Sequence, residues 1–219
     1  MTVTDRAPRI APLQAPYEPD VEEMLRRWMP PGAQVEPLAL FRTMAVHGEL
    51  MSRMRPLGSG ILGHGQVPAR DREIVIHRTC ARAGAEYEWG VHAVAFGAGV
   101  GLTPAQIAAT ATATATAPTA AAAATTAATA AKAATAATAV TTPDDPAWSQ
   151  HDTALIRMAD ELHDTSHVSD DVWAQLSATY DEQQLLELLV IAGWYRALSY
   201  VINGLQISLE TWAARFPPV

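Results

Sequence analysis

A chain of 219 residues has room for one domain with an appendage and a genuine core, and its formal charge of −8 leaves no basic face for nucleic acid to settle on. The single cysteine, Cys80, excludes an intramolecular disulfide and any Cys-x-x-Cys redox pair. Hydrophobic residues make up 49% of the chain, but many are alanines of one tract, so the core is smaller than that fraction implies.

Residues 1–18 are rich in proline and polar groups, lack the apolar centre of a secretory signal, and read as a flexible arm on a cytoplasmic protein. Asp20 is placed to cap a short helix, VEEMLRRWM, which Pro30, Pro31 and Gly32 end. Leu40, Met44, His47, Met51 and Met54 recur at spacings of three and four and predict a helix over 38–54. The following PLGSGILGHGQVPA reads as a glycine-rich loop. A strong helix is expected over 71–82, closed by Gly84 in the left-handed conformation, and another over 86–96. Thr103 and Pro104 open a short helix as N-cap and first residue.

Residues 108–142 are alanine and threonine interrupted only by Pro118, Lys132 and Val140, a compositionally biased insert without large apolar side chains to dock it. Beyond it, SQHDTALIRMADELH is amphipathic, Ser169 starts a helix running through Tyr180, and a last apolar helix is expected over 182–209. The most apolar run, Leu185 to Val201, carries Glu187 and Arg196 and is too short to span a bilayer. No segment alternates with a period of two. The chain therefore reads as all-α, with 19–107 and 143–217 forming one helical domain around the 108–142 insert.

The segment PARDREIVIHRTCARAGAEYEWGVH carries most of the chemistry. Glu73, His77 and Cys80 stand at i, i+4 and i+7 on one helix face, and Glu88 and His92 are four apart on the next. A turn at Gly84 folding the helices back antiparallel sets Cys80 level with Glu88 and His77 level with His92, with Glu73 a turn further out. A carboxyl group beside an imidazole is a proton relay. Glu and His also ligate metals, but the spacing here is neither the Glu-x-x-His of di-iron bundles nor the His-Glu-x-x-His of zincins. Cys80 beside a histidine is a candidate thiolate, although a lone cysteine among apolar residues is more often simply buried. Bland readings stand beside these: Glu86 and Glu88 favour a helix start by charge alone, Glu73 has Arg70 and Arg72 to pair with, and His77 fits a core position.

VPARDREIVIHRT followed by GAEYEWGVH resembles the carboxymuconolactone decarboxylase family, within the superfamily that includes alkylhydroperoxidase D. The likeness extends to FRTMAVHGELMSRMRPLGSGIL upstream and to ADELHDTSHVSDDVWAQL and GWYRALSYVINGLQ downstream. The resemblance implies an alkylhydroperoxidase D-like helical bundle that self-associates. In the peroxidase branch a glutamate precedes Cys-x-x-Cys-x-x-x-His; aligned on His92, the cysteine positions fall at Ala85 and Glu88, and the glutamate at Glu73. Both cysteines are absent, so the chain is similar to a subgroup with Tyr-Glu-Trp in place of the thiols. The decarboxylase branch implies acid/base chemistry on a small organic acid or lactone, with His92 as acid/base and Glu88 and Glu73 orienting it or relaying protons. Arg70, Arg72, Arg78 or Arg82 are candidates to contact a substrate carboxylate. No cofactor and no resident metal are expected, and the partners are a small-molecule substrate and further copies of the chain, with neither nucleic acid nor membrane. Two rival readings are hydroperoxide reduction, for which Cys80 must be accessible with a depressed pKa, and a non-catalytic binding or assembly protein, for which Trp89, Trp194 and Tyr195 would fill the pocket.

Overall fold

The computed structural model describes residues 7–29, 32, 35–112 and 148–218, and among these every regular element is helical. The part of the Ala/Thr insert from 113 to 142 lies outside the described residues. The helices are α1 (Pro19–Trp28), α2 (Ala39–Met44), α3 (Gly48–Gly63), α4 (Ala69–Arg82), α5 (Glu86–His92), α6 (Pro104–Ala111), α7 (Gln150–Thr165), α8 (Asp170–Ser177) and α9 (Glu182–Leu205).

Helix α4 is the axis of the fold. Its residues from Asp71 to Cys80 are all buried, because α5, α6, α7 and α9 pack around it. Burying a helix that carries Arg70, Arg78 and Arg82 requires partners for the charges, and α7 supplies them in one register. Arg70 binds Asp152 through two contacts of 2.5 and 3.1 Å, Arg78 grips Asp160 at 2.6 and 2.9 Å, and Arg82 reaches Asp164. Each acid lies 82 positions beyond its arginine, so the two helices run parallel. The apolar side chains of Ile74, Val75, Ile76, Leu155, Leu188 and Ile191 fill the space between.

Several local expectations are corrected. Asp20 does not cap α1: Pro19 takes the first helical position, where its missing N–H costs nothing, and Glu18 precedes it. The helix expected over 38–54 breaks at a 3₁₀ turn, Ala45–His47, where His47 leaves helical geometry at φ −119° and ψ 72° and accepts from Leu50 N. The glycine-rich stretch expected as a loop is largely helix, since α3 continues through Pro56 to Gly63. Gly58 has a reason to be glycine: a Cβ there would stand 3.1 Å from the Trp194 ring. Helix α5 ends at His92 and passes into a π-helical turn (Ala93–Gly97) and a 3₁₀ turn (Ala98–Val100), instead of continuing to Phe96. Gly84 adopts φ +64° after α4, and Thr103 and Ser149 close capping boxes at α6 and α7.

At 24 residues α9 is longer than the apolar run read from sequence, and by length and composition it is long and apolar enough to cross a membrane. Here Leu188, Ile191, Tyr195 and Ile202 face the core. Gln206, left-handed at φ +55°, stops the helix four residues before the expected end. The chain then returns as a strap over α5. Glu210 accepts from Tyr87 Oη at 2.6 Å and from Ala39 N at 2.7 Å, Ala214 N donates to Gly90 O at 3.3 Å, and Phe216 N donates to Glu86 at 2.9 Å. At the other end, residues 7–18 lie along the body, with Arg9 N bonded to Leu205 O and Leu13 N to Arg42 O.

Candidate functional site

Helices α4 and α5 bring Glu73, Glu88 and His92 together. His92 Nδ1–H donates to Glu73 Oε2 at 2.8 Å, and its Nε2 stands 3.6 Å from Glu88 Oε1. His77 lies beside His92 but does not share the Glu73 carboxylate hydrogen bond with it. Its Nδ1 lies 2.7 Å from the Glu73 carbonyl oxygen one turn back, and a carbonyl only accepts, so that nitrogen carries the proton. Turned onto its own helix, His77 leaves the Glu73 carboxylate to His92, and the two imidazole rings meet edge-on at 6.2 Å. The π-helical turn begins directly after His92, and Phe96 from that turn and Tyr195 from α9 hold the ring between them, at 4.8 and 5.0 Å.

Burial and charge then divide the titratable groups. Burial alone would lower the pKa of His92, but Glu73 and Glu88 outweigh it and raise it to about 9, so the ring is an imidazolium at neutral pH. Burial pushes Glu73 upward; attraction and hydrogen bonding from His92 prevail and hold its carboxyl below the ordinary range. His77 is driven the other way, to about 4, by burial and by the neighbouring His92 charge, and is neutral. Burial, followed by Glu88 and Glu73, raises the Tyr195 phenol, which keeps its proton.

The site opens on a cavity of about 700 Å³ between α1, α3, α5 and α9. Glu88 and His92 line it; Glu73, fully buried, stands behind His92. Trp28, Phe41, Phe96, Trp194 and Tyr195 supply an aromatic wall, and Trp212 from the C-terminal strap completes it. His92 Nε2 is paired with Glu88 Oε1 beside this space, while Glu88 Oε2 and Glu73 Oε1 are buried without a hydrogen-bond partner among the described residues. Buried carboxyl oxygens without a partner are rare in folded proteins and keep hydrogen-bonding capacity in reserve beside the cavity.

The other predicted residues do different work. Cys80 is fully buried, and burial together with Glu88 and Glu73 raises its thiol well above the ordinary value, opposite to what a thiolate nucleophile requires. The arginines read as carboxylate contacts do not line the cavity: Arg70, Arg78 and Arg82 bind α7, and Arg72 lies beside Glu73 with Nε 3.8 Å from Oε1. The arginines that do line it are Arg27 and Arg55. Trp89 packs on Phe216 and donates to Thr110 Oγ1, and the cavity stays open beside Trp194 and Tyr195 rather than filled by them. Among the described residues no group of three or more His, Cys, Asp or Glu side chains is disposed to hold a metal ion. Sequence reading missed Trp28, Phe41 and Trp212. The first two look like ordinary helix-face aromatics, and Trp212 lies in a tail with no periodicity to announce it.

Residues 48–138, which contain α3 to α6 and hence Glu73, Glu88 and His92, match the family model described as Carboxymuconolactone decarboxylase family. No curated protein and no solved structure matches the chain. Through this stretch the chain is similar to the carboxymuconolactone decarboxylase family, and the all-helical fold described above accompanies that match.

Proposed function

We propose that the protein is an acid/base enzyme of the decarboxylase, lyase or isomerase kind, acting on a small organic acid or lactone bound in the cavity lined by Glu88 and His92. The observation that carries the reading is the Glu73–His92 pair: a buried carboxylate fixes one ring nitrogen at 2.8 Å and leaves the other beside Glu88, at 3.6 Å, where both residues line the cavity. In that arrangement His92 is the catalytic proton donor and later acceptor. Glu73 is a positioning residue that sets tautomer, orientation and basicity. The apolar aromatic wall lowers the local polarity around the pair and so strengthens each of these interactions.

Hydroperoxide reduction is the weaker alternative. The positions where the peroxidase branch carries its two thiols are Ala85 and Glu88, and the one thiol of the chain is buried with a raised pKa. A purely binding role has less support than turnover, since Trp194 and Tyr195 border an open cavity. Self-association and a cytoplasmic location complete the proposal; exposed Leu186, Val190 and Tyr200 along α9 favour association between copies.

The test is incorporation of solvent deuterium, and release of carbon dioxide, from a panel of lactones and lactone acids, comparing the native protein with His92→Gln. Loss of turnover by about 100-fold or more in the variant is the expected result. Turnover that survives the loss of His92 sinks the reading.

A further inference from the structure

Resting on that proton-transfer reading, a narrower statement follows from the charges and from the cavity wall. We infer that the reacting end of the substrate is an uncharged carbonyl compound, a ketone or lactone with an acidic C–H beside its C=O, and that Glu88 is the base that removes this proton while His92 holds the oxygen.

The charge balance argues first. Two carboxyl groups, Glu73 and Glu88, crowd one imidazole, and the neighbouring His77 is neutral, so the deep end of the cavity carries no surplus positive charge for an anion. Of the α4 arginines, Arg70, Arg78 and Arg82 are turned to α7, and Arg72, 3.8 Å from Glu73 Oε1, only offsets one of the two carboxyl groups. Arg27 and Arg55 do line the cavity, but Arg27 is 61% exposed and paired with Glu23, and Arg55 Nε donates to the Arg27 carbonyl. They belong to its mouth, where a distant charged substituent would lie. Between mouth and floor the wall is aromatic and aliphatic, and 700 Å³ suits an apolar ring-sized body better than a small polar anion.

Geometry argues second. His92 Nε2 and Glu88 Oε1 are 3.6 Å apart and both residues line the cavity, so they are free to address neighbouring atoms of one carbonyl unit. Rotation about the last bond of Glu88 brings either oxygen forward. The C–H bond then breaks with its proton going to Glu88, and the electron pair moves into the C=O unit. The enolate oxygen takes its hydrogen bond, or the proton, from His92 Nε2. Return of a proton from Glu88 to the same carbon restores the substrate, return to a conjugated carbon gives an isomer, and no oxidant or reductant is consumed. The orphaned Glu88 Oε2, and a His92 Nε2 held only by the 3.6 Å contact to Glu88 Oε1, are what such a reactant would satisfy.

The experiment uses two probes of similar size, β-tetralone (uncharged) and phenylpyruvate (anionic), each followed by NMR for exchange of its acidic C–H in deuterated buffer. Binding is read separately by quenching of the tryptophans in the cavity wall. The native protein should accelerate β-tetralone exchange at least about tenfold more than phenylpyruvate exchange, because an anion would meet Glu88 at the deep end with no unpaired cation to offset the cost of its desolvation. Glu88→Gln should bind β-tetralone with unchanged quenching and lose exchange by about 100-fold or more. Exchange that survives in Glu88→Gln but fails in His92→Gln leaves the His92 reading standing and removes Glu88 as base. Faster exchange of phenylpyruvate overturns the uncharged class while keeping proton transfer, and exchange of neither probe overturns both.

Discussion

Helix α4 carries two carboxyl–histidine clusters only two residues apart, and they have opposite characters. Around Asp71, every neighbour is satisfied: Tyr180 Oη donates to Asp71 Oδ2 at 2.7 Å, and His151 Nε2 lies 3.1 Å from the same oxygen and 2.9 Å from Tyr180 Oη. Around Glu73, buried oxygens of Glu73 and Glu88 are left without partners, and the outer nitrogen of His92 faces a cavity. The residue types are nearly the same. What separates a structural knot from a reaction site is unspent hydrogen-bonding capacity next to room for a ligand.

The largest effect should come from exchanging the two histidines for glutamine in turn. His92→Gln is expected to lower proton-transfer turnover by about 10²- to 10⁴-fold, the usual span for a general acid or base. His151→Gln should leave turnover within about twofold and lower stability by about 1 kcal/mol through weaker hydrogen bonds at a part-exposed position. Steady-state rates and urea melts on both variants check this, and equal losses of turnover would erase the distinction between the clusters.

A smaller contrast separates the carboxylates. Glu73→Gln keeps the shape beside His92 but removes the charge that raises its pKa to about 9, so the alkaline limb of the rate profile should move to lower pH, with a loss of about 10- to 100-fold near neutrality. Asp71→Asn should leave the pH profile where it is. A profile that moves with Asp71 and not with Glu73 would place the working proton in the wrong cluster.

How much of this was legible from sequence differs between the two clusters for a physical reason. Glu73, Glu88 and His92 lie on two adjacent helices with a short connection, so helical spacing alone put them on facing surfaces. Which imidazole takes the Glu73 carboxylate was not legible: it depends on His77 bonding its own backbone, which leaves no periodic trace. Asp71, His151 and Tyr180 come from three regions joined only through tertiary packing, and no local pattern connects them. The cavity wall was hidden for the same reason, compounded by α3 running on through Pro56 and its glycines where a loop was expected. The arginine ladder misled in the opposite direction, since cations four and eight apart next to a proposed site look like ligand contacts until α7 is seen beside them.

Stability against pH sharpens the comparison within the site itself. His92 has a folded pKa near 9, above its ordinary 6.5, so its contribution is complete below about 6.5 and is lost as pH rises through 9. His77 is depressed to about 4; between 4 and 6.5 the unfolded chain takes up a proton that the folded chain refuses, and stability falls as pH drops through that window. The two windows meet near pH 6.5, where their combined contribution should peak. Melting temperatures of native protein and His92→Gln, taken from pH 5 to 10, should differ most at or below about 6.5 and converge above about 9. A difference that widens with rising pH would mean that His92 is neutral in the folded protein.

The smallest effect is expected at Cys80, and it tests whether a third kind of residue, buried and chemically idle, has been assigned correctly. The thiol is fully enclosed by the core, with its pKa pushed up by burial and two nearby carboxyls. A peroxide would have to reach it through packed side chains and find a thiolate that this environment disfavours. Cys80→Ala should therefore cost only about 1 kcal/mol of stability for the small void it leaves, with turnover and pH profile unchanged. Peroxide consumption in the presence of a dithiol reductant should equal the protein-free rate for both native and variant. Consumption by the native protein that disappears with Cys80 would show that the core opens far enough to expose the thiol, and the division of α4 into a reactive cluster, a satisfied cluster and an inert cysteine would fail at its last member.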